Sequence, residues 1–379
     1  PSACRPLMCR SPGREPIAEG FRLLGGELPW LPLSLDREGT LASLLRTLPA
    51  VAILLWLVRR PDTTDRSALV IAVLAAMAVS VLVGLTQFGS SDAWYPYQHS
   101  SVGSATGLFA NANHFAALLL ASIPLLAALA VGQWRDPAGK RSGQRGAALI
   151  AIGIAGLAVA VGIVINGSLA VLLLAGPMLA GSALLFVPPS ALRPGRLATA
   201  ALAIAAVTAA AVAIVGPERL ARIGGDASFA ERQDILAKSV DVAAAHFPVG
   251  SGIGSFAAVY PLAEDPGQVT TTYVNHAHND YLELVIETGL PGVLLLGAFL
   301  AWWGWRFAAI WRSPESPLLA RAASLVALGL LLHSLVDFPL RTAGLAALFA
   351  AALAVMAVPA VRRRESDASA PRHLTLEDL

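Results

Sequence analysis

The segment NHAHNDYLELVIETGLPG, residues 275–292, marks the place where a long polar loop meets a long apolar run. Its first half concentrates polar side chains, namely His276, His278, Asn279 and Asp280. Its second half opens an apolar run of the length, about 20 residues, that crosses the ~30 Å hydrocarbon core of a bilayer. The sequence therefore predicts a loop that ends at a membrane surface with its densest polar cluster at that edge.

The composition of the whole chain places this segment in a membrane protein. Of the 379 residues, 56% are hydrophobic and 14% are charged, whereas soluble domains carry about 25% charged residues. The net charge of +2 gives no basic face for nucleic acid. Cys4 and Cys9 lie in the polar N-terminal stretch, at a spacing that fits neither a zinc site nor a disulfide framework.

About nine apolar runs are long enough, or nearly so, to form transmembrane helices. They are residues 41–58, 67–88, 108–132, 147–165, 169–187, 197–215, 281–304, 320–336 and 342–360. The predicted fold is an all-α polytopic membrane protein. Residues 41–215 supply the first six helices, 281–360 supply the last three, and the loop 216–280 lies between them.

The distribution of lysine and arginine predicts which connections face the cytoplasm. One alternating set of connections is cation-rich, with Arg59, Arg60, Arg66, Arg135, Lys140, Arg141, Arg145, Arg193, Arg196, Arg306, Arg312 and Arg321. We therefore expect a periplasmic loop at 216–280 and a cytoplasmic tail at 361–379. Residues 1–40 would then be periplasmic, and because they show no signal peptide we expect about three further spans upstream.

Two stretches of the long loop show recognisable local patterns. Residues 228–247, SFAERQDILAKSVDVAAAHF, place apolar side chains at helical spacing and predict an amphipathic helix. Residues 248–261, PVGSGIGSFAAVYP, share glycines with phosphate-binding loops, but no strand–turn–helix context surrounds them. Close docking of this backbone near the membrane is the favoured interpretation of its glycines.

The polar cluster of the opening segment admits a metal site, a helix cap or a catalytic centre. His276 and His278 would share a face on a strand but not on a helix, and no third histidine lies close in sequence. Asn279 or Asp280 would cap the helix that begins at Tyr281. Capping requires no imidazole, however, and a histidine can accept a proton at neutral pH, so His278 is the predicted base.

The motif HNDYLELVIETGLPG, with His278 and Asn279 followed by Gly289 and Gly292, resembles the signature of the O-antigen ligase / O-antigen polymerase (Wzy-C) superfamily. Further segments that resemble this family are ERQDILAKSVDVAAAHFPVGSGIGSF, GLFANANHFAALLL, LLHSLVDFPLR and SLDREGTLASLL. The resemblance implies a GT-C-like membrane glycosyltransferase of the bacterial inner membrane. It would transfer a glycan from undecaprenyl diphosphate to an acceptor such as lipid A–core at the periplasmic face.

The resemblance also implies roles for individual residues: His278 is the catalytic histidine and Arg232 binds the diphosphate. Arg219 and Arg222 are further diphosphate-binding candidates, because guanidinium forks match phosphate oxygens. Supporting roles are expected of His276, Asn279, Asp280, His333 and Asp337. We expect metal-independent, inverting transfer with no cofactor.

One feature departs from the family pattern, in which a Ser–Arg pair often precedes a span. Here the corresponding turn reads Asn166, Gly167 and Ser168, without an arginine. A site that lacks this cation would bind the diphosphate differently, or Arg219 or Arg222 would supply the second cation.

Two other polar groups lie at predicted span ends on the loop side. His333 and Asp337 are four residues apart on one predicted helical face and form either a functional pair or a structural hydrogen bond. Asn111, Asn113 and His114 begin another span, and interfacial capping is their favoured interpretation.

Several functions remain as alternatives. O-antigen polymerase and protein O-oligosaccharyltransferase differ from the ligase in the acceptor, and the His-Asn-x9-Gly-x-x-Gly pattern is closest to the ligase branch. A secondary transporter would show internal repeats and charged, broken helices at mid-membrane, whereas the polar residues gather in one loop. A third alternative is an inactive fragment, which the missing arginine and the missing upstream spans would favour.

Overall fold

The computed structural model describes residues 15–25, 33–59, 63–90, 92–98, 100–135, 142–188, 226–267 and 273–358, with scattered residues between 189 and 225. Its helices are α1 (Glu15–Leu23), α2 (Arg37–Arg59), α3 (Thr63–Gln87), α4 (Ala112–Arg135), α5 (Ser142–Asn166), α6 (Leu169–Ala183), α7 (Asp226–His246), α8 (Phe256–Val259), α9 (Asp280–Arg312), α10 (Leu318–His333) and α11 (Ala343–Ala357). Short 3-10 turns lie at Leu184–Phe186, Tyr260–Ala263 and Pro339–Arg341.

Five of these helices, α2, α3, α4, α5 and α9, are long and apolar enough to cross a membrane, and α6, α10 and α11 are shorter apolar helices. The protein is thus a multi-pass membrane protein whose described part is helical. These eight helices coincide with eight of the predicted runs. The remaining run, 197–215, lies almost entirely outside the described residues, so the count of nine stays a prediction.

Helix α4 forms the centre of the bundle. Over the most apolar 18 residues of α4, 78% of the residues are buried. The corresponding share for α2 is 6%, so α2 lies at the periphery. Phe115, Leu119 and Leu120 of α4 are fully buried and pack in one cluster with apolar residues of α3, α5, α6, α10 and α11. Helix α2 instead packs along α11.

The helix ends on the loop side are joined by side-chain hydrogen bonds. Asn166, at the end of α5, donates to the carbonyls of Ala105 and Ala112 at 3.2 and 2.8 Å. Asn113, at the start of α4, donates to the carboxylate of Asp337, which follows α10. The loop-side ends of α4, α5 and α10 thus meet, as the predicted alternation of the spans requires.

Arginines occupy the opposite end of the bundle. Arg135 donates to the carbonyls of Leu185 and Val187 at 3.0 and 3.1 Å, and Arg306 donates to that of Met356. These carbonyls lie at helix C-termini, where backbone acceptors lack helical partners and cations are favourable. The arginines that the sequence assigned to the cytoplasmic connections therefore also satisfy helix ends.

Candidate active site

The first helical turn of α9 fixes the backbone of the opening motif. Oδ1 of Asn279 accepts hydrogen bonds from the N–H groups of Tyr281 and Leu282, both at 3.0 Å. Its Nδ2 donates to the carbonyl of Leu335 at 2.9 Å. Asn279 is therefore the predicted N-cap, and it also ties α9 to the turn after α10. Both ends of its amide are hydrogen-bonded to backbone groups, so Asn279 fixes the backbone directly after His278.

His278 has a strained backbone conformation directly before this cap. Its φ of +50° is in the left-handed region, which residues other than glycine rarely adopt. Nδ1 of its half-buried ring lies 3.4 Å from Oδ1 of Asp337. Since strain of this kind persists only where the surroundings enforce it, the cap and the carboxylate together hold the imidazole in place.

Asp337 has no exposed surface, although it is a carboxylate. It receives hydrogen bonds from Nδ2 of Asn113 and from the N–H of Phe338, the latter at 2.9 Å. Helix α10 ends at His333, so the prediction that His333 and Asp337 share a helical face is wrong. Asp337 lies in the following turn, where its own N–H caps the carbonyl of His333 at 3.0 Å.

The charge of Asp337 is stabilised by its neighbours. Burial alone would raise the pKa of this carboxyl, because it disfavours the charged form. The nearby His278 ring and the fields of His114 and His333 outweigh burial and hold the pKa of Asp337 well below its ordinary value of 3.8. Asp337 is therefore an anion at neutral pH, positioned behind the predicted base.

Three histidines surround the ring of Phe338, which follows Asp337. The ring centroids of His114, His276 and His278 lie 4.9, 4.2 and 5.1 Å from that of Phe338. Nδ1 of His114 also pairs with the hydroxyl of Thr342 at 2.9 Å. The capping interpretation of Asn113 and His114 is thus incomplete, because both side chains point into the polar cluster from α4.

A second cluster of charged side chains lies along the first two turns of α9. The guanidinium of Arg341 meets Glu287 at 2.8 Å, Glu283 at 3.1 Å and Asp280 at 3.7 Å. Glu283 also pairs with Nδ1 of His276 at 2.8 Å. Three carboxylates on one helix face thus share one arginine, and they raise the pKa of Arg341 despite its burial, so it stays charged.

Sequence reasoning missed Glu283, Glu287 and Arg341 as members of the site. The signal was present, since Asp280, Glu283 and Glu287 recur at i, i+3 and i+7 and so occupy one helix face. An acidic stripe on an otherwise apolar span predicts a cation opposite it. No local pattern indicates that this cation is Arg341.

The predicted diphosphate-binding arginines are only partly within the described residues. Arg232 lies on α7, half-buried, and is close enough to His333 for their charges to interact. His333 itself is completely buried, and neither ring nitrogen has a hydrogen-bond partner among the described residues. Arg219 and Arg222 lie outside the described residues. The structure thus brings one predicted arginine near His333.

The glycine-rich turn docks α7 against α9 and α2. Gly250, Gly252 and Gly254 have φ values of +83°, +111° and +77°. Side chains there would clash with backbone or side-chain atoms of Glu287, Ser34 and Gly39, respectively. The predicted close docking of this turn is therefore confirmed, and its glycines serve packing.

Gly289 of the signature plays the matching role on α9. It interrupts the helix with φ +58° and ψ −143°, and a side chain there would meet the carbonyl of Pro248. The N–H of Leu290 donates to the same carbonyl at 2.8 Å. The glycines of the signature and of the turn are thus two sides of one contact, which sets the position of α7 and Arg232 relative to His278.

Residues 141–297 match the family model described as O-antigen ligase. This stretch, which is less than half of the chain, is similar to the O-antigen ligase family. The matched region contains α7, the glycine-rich turn, the His278 motif and the first half of α9, whereas Asp337 and Arg341 lie beyond it. No curated protein matches the chain. Glycan transfer of the O-antigen ligase type is therefore the activity that the family supports, in a multi-pass membrane protein.

Proposed function

We propose that this chain is a member of the O-antigen ligase family and transfers a glycan from undecaprenyl diphosphate to an acceptor hydroxyl at the periplasmic face of the bacterial inner membrane. The pairing of His278 with the buried carboxylate of Asp337 carries the proposal. A polar pair of this kind beside membrane-spanning helices suits a substrate whose reacting group lies at the membrane surface.

His278, Asp337 and Arg232 each have one part in the proposed transfer. Nδ1 of His278 faces Asp337, which leaves Nε2 to take the proton of the acceptor hydroxyl. The acceptor oxygen forms a bond to the anomeric carbon as the bond from that carbon to the diphosphate oxygen breaks, with inversion. Asp337 stabilises the imidazolium, and Arg232 balances the negative charge of the departing diphosphate.

A reconstituted transfer assay tests this function. The full chain in lipid nanodiscs would receive an undecaprenyl-diphosphate-linked glycan and lipid A–core, with chelator present because no step above needs a metal. We expect transfer by the native chain, a loss of at least about 100-fold for His278→Ala, and native activity for Lys238→Ala. Lys238 is a matched control because it is a cation on the same helix as Arg232 and pairs with Asp234 one turn away.

The choice of acceptor separates the related activities. Transfer to a second lipid-linked glycan would indicate a polymerase, and transfer to a serine- or threonine-containing peptide would indicate a protein transferase. Transfer that chelator abolishes and a divalent ion restores would contradict the metal-independent step. Equal transfer by the native chain and by His278→Ala would overturn the proposal.

A further inference from the structure

A cavity of about 880 Å³ lies between α2, the glycine-rich turn, α9 and α11. Helix α2 is fastened to the rest of the protein near both of its ends. Towards its C-terminus Leu57 packs against Ala351 and Ala354 of α11. At its N-terminus the hydroxyl of Thr40 donates to the carbonyl of Ile253 in the glycine-rich turn at 2.6 Å. Between these two contacts the cavity separates α2 from α9.

The lining of the cavity changes from charged to apolar along the helices. On α9 the charged side chains of the first two turns are followed by Leu295, Leu296 and Phe299. On α11 the lining ends in Phe349 and Leu353. Since α2 and α9 are long and apolar enough to cross a membrane, this apolar end lies at membrane depth. A hydrocarbon chain suits it, because apolar surface is best covered by apolar groups.

Two charged groups in the wall lack a partner of opposite charge. The three carboxylates of α9 surround Arg341 and are compensated by it. Arg46 of α2, in contrast, forms no hydrogen bond or ion pair with any residue that the structure describes. Asp36, directly before α2, accepts the N–H of Gly39 at 2.8 Å with Oδ1, and its Oδ2 has no partner of opposite charge in the described part of the chain.

Arg46 and Asp36 are too far apart to neutralise each other. They are separated by ten residues, which corresponds to about 15 Å along a helix axis. Helical side chains lean towards the N-terminus of their helix, so the guanidinium of Arg46 extends in the direction of Asp36. An ionised side chain at membrane depth is costly without a partner. The wall therefore offers a place for an anion at Arg46 and a place for a cation at Asp36.

The balance of charge in the lining distinguishes between classes of lipid head. The lining contains four carboxylates and two guanidinium groups, so a purely anionic head would leave the acidic excess uncompensated. A head with both a phosphate and an ammonium group brings the cation that the acidic side needs. A primary ammonium also donates hydrogen bonds to a carboxylate, which a quaternary ammonium cannot do.

We propose that this cavity binds one phospholipid of the bilayer that carries an ethanolamine head. Its phosphate contacts Arg46 and the hydroxyl of Ser43, which lines the cavity one turn earlier on α2. Its ammonium contacts Oδ2 of Asp36, and one of its chains lies along the apolar residues of α9 and α11. The lipid fills the space between α2 and α9. The site is independent of the proposed function, because neither His278 nor Arg232 lines the cavity.

Lipid binding to the full chain tests this proposal without requiring transfer. The delipidated protein in detergent would be titrated with phosphatidylethanolamine, phosphatidylglycerol or phosphatidylcholine, all with the same dioleoyl chains. Native mass spectrometry would count the bound lipids and give each Kd. We expect one site whose Kd for phosphatidylethanolamine is about tenfold lower than for the other two lipids. Because a ligand that binds the folded state stabilises it, this lipid should also raise the melting temperature most.

Two variants separate the contributions of the two charges. Asp36→Asn keeps the acceptor that caps α2 but removes the partner of the ammonium, so phosphatidylethanolamine and phosphatidylglycerol should bind about equally. Arg46→Gln should weaken the binding of all three lipids about tenfold, because it removes the partner of the phosphate. Glu38→Gln and Arg37→Gln are the matched controls on the same helix. Both side chains are exposed and outside the cavity lining, so these variants should bind lipid as the native chain does.

Four results would overturn the proposal: equal affinity of the native chain for the three lipids, tighter binding of phosphatidylglycerol, a native preference in Asp36→Asn, or native affinity in Arg46→Gln. Circular dichroism of each variant shows that it has folded before its affinity is compared. The transfer assay is interpreted separately. A chain that transfers glycan but shows no lipid preference would refute the lipid site alone, and a chain with the expected preference that transfers nothing would refute only the proposed function.

Discussion

The imidazole of His278 lies 3.4 Å from the carboxylate of Asp337, which is completely buried and also bound by Asn113 of α4. The three residues come from the loop, from the turn after α10 and from the start of the central helix. The proposed base, which must take up and then release a proton, is thus anchored to the rigid centre of the bundle rather than to the loop that carries it.

This anchoring makes Asp337 a positioning residue for the proposed reaction. Asp337→Asn keeps the shape of the side chain but removes the charge that stabilises the imidazolium. We expect transfer to fall about 100-fold, mainly in kcat, with little change in the KM of either substrate. An equal loss in a Leu335→Ala control, or a rise in KM alone, would show that the carboxylate has a merely structural role.

The low pKa of Asp337 predicts how stability depends on pH. A carboxyl whose pKa is lowered on folding stabilises the protein above its unfolded value, near 3.8, and this contribution is lost as pH falls towards the folded value. Thermal unfolding of the native chain should therefore shift to lower temperature between about pH 5 and 3 by more than that of Asp337→Asn. Parallel curves for the two proteins over this range would contradict the assignment.

Arg232 allows a test of charge against geometry. Arg232→Lys keeps the cation but loses the fork that binds two phosphate oxygens. We expect kcat/KM for the lipid diphosphate donor to fall about tenfold, and Arg232→Ala to lower it further. The KM for the acceptor should stay unchanged in both variants, and an effect confined to the acceptor would place the diphosphate elsewhere.

The sequence predicted local features of this site well and its long-range contacts poorly. Helix α7, the cap at Asn279 and the docking role of the glycines follow from spacing and propensity, which act within a few residues. The contact of Asn113 with Asp337 depends on how α4 and α10 pack. No local pattern encodes that packing, so the sequence predicts only a cap at Asn113.

The acidic stripe illustrates the same limit. Asp280, Glu283 and Glu287 were visible as one face of a helix, and burying them requires a compensating cation. The turn after α10 supplies it as Arg341, which lies far along the chain. Only the packing of α9 against that turn identifies the partner.

Arg341→Met should therefore destabilise the fold. It leaves three buried carboxylates without their cation, and breaking a buried ion pair from one side costs about 3–5 kcal/mol. Adding Glu287→Gln should recover part of the loss, because it removes one of the uncompensated charges. Thermal unfolding in detergent measures both effects, and additive losses in the double variant would show that the two residues are not coupled.

Gly289 provides a final test of the contact between the signature and the glycine-rich turn. Its φ and ψ lie in a region that only glycine enters readily, and a methyl group would meet the carbonyl of Pro248. We expect Gly289→Ala to cost at least about 1–3 kcal/mol and to lower transfer, because the clash pushes Arg232 and α7 away from His278. Gly297→Ala is the matched control on the same helix, where a methyl group meets nothing within 4 Å. It should be neutral or stabilising by about 0.5–1 kcal/mol. Equal melting temperatures for the two variants would mean that the docking of the turn on α9 contributes little to the fold.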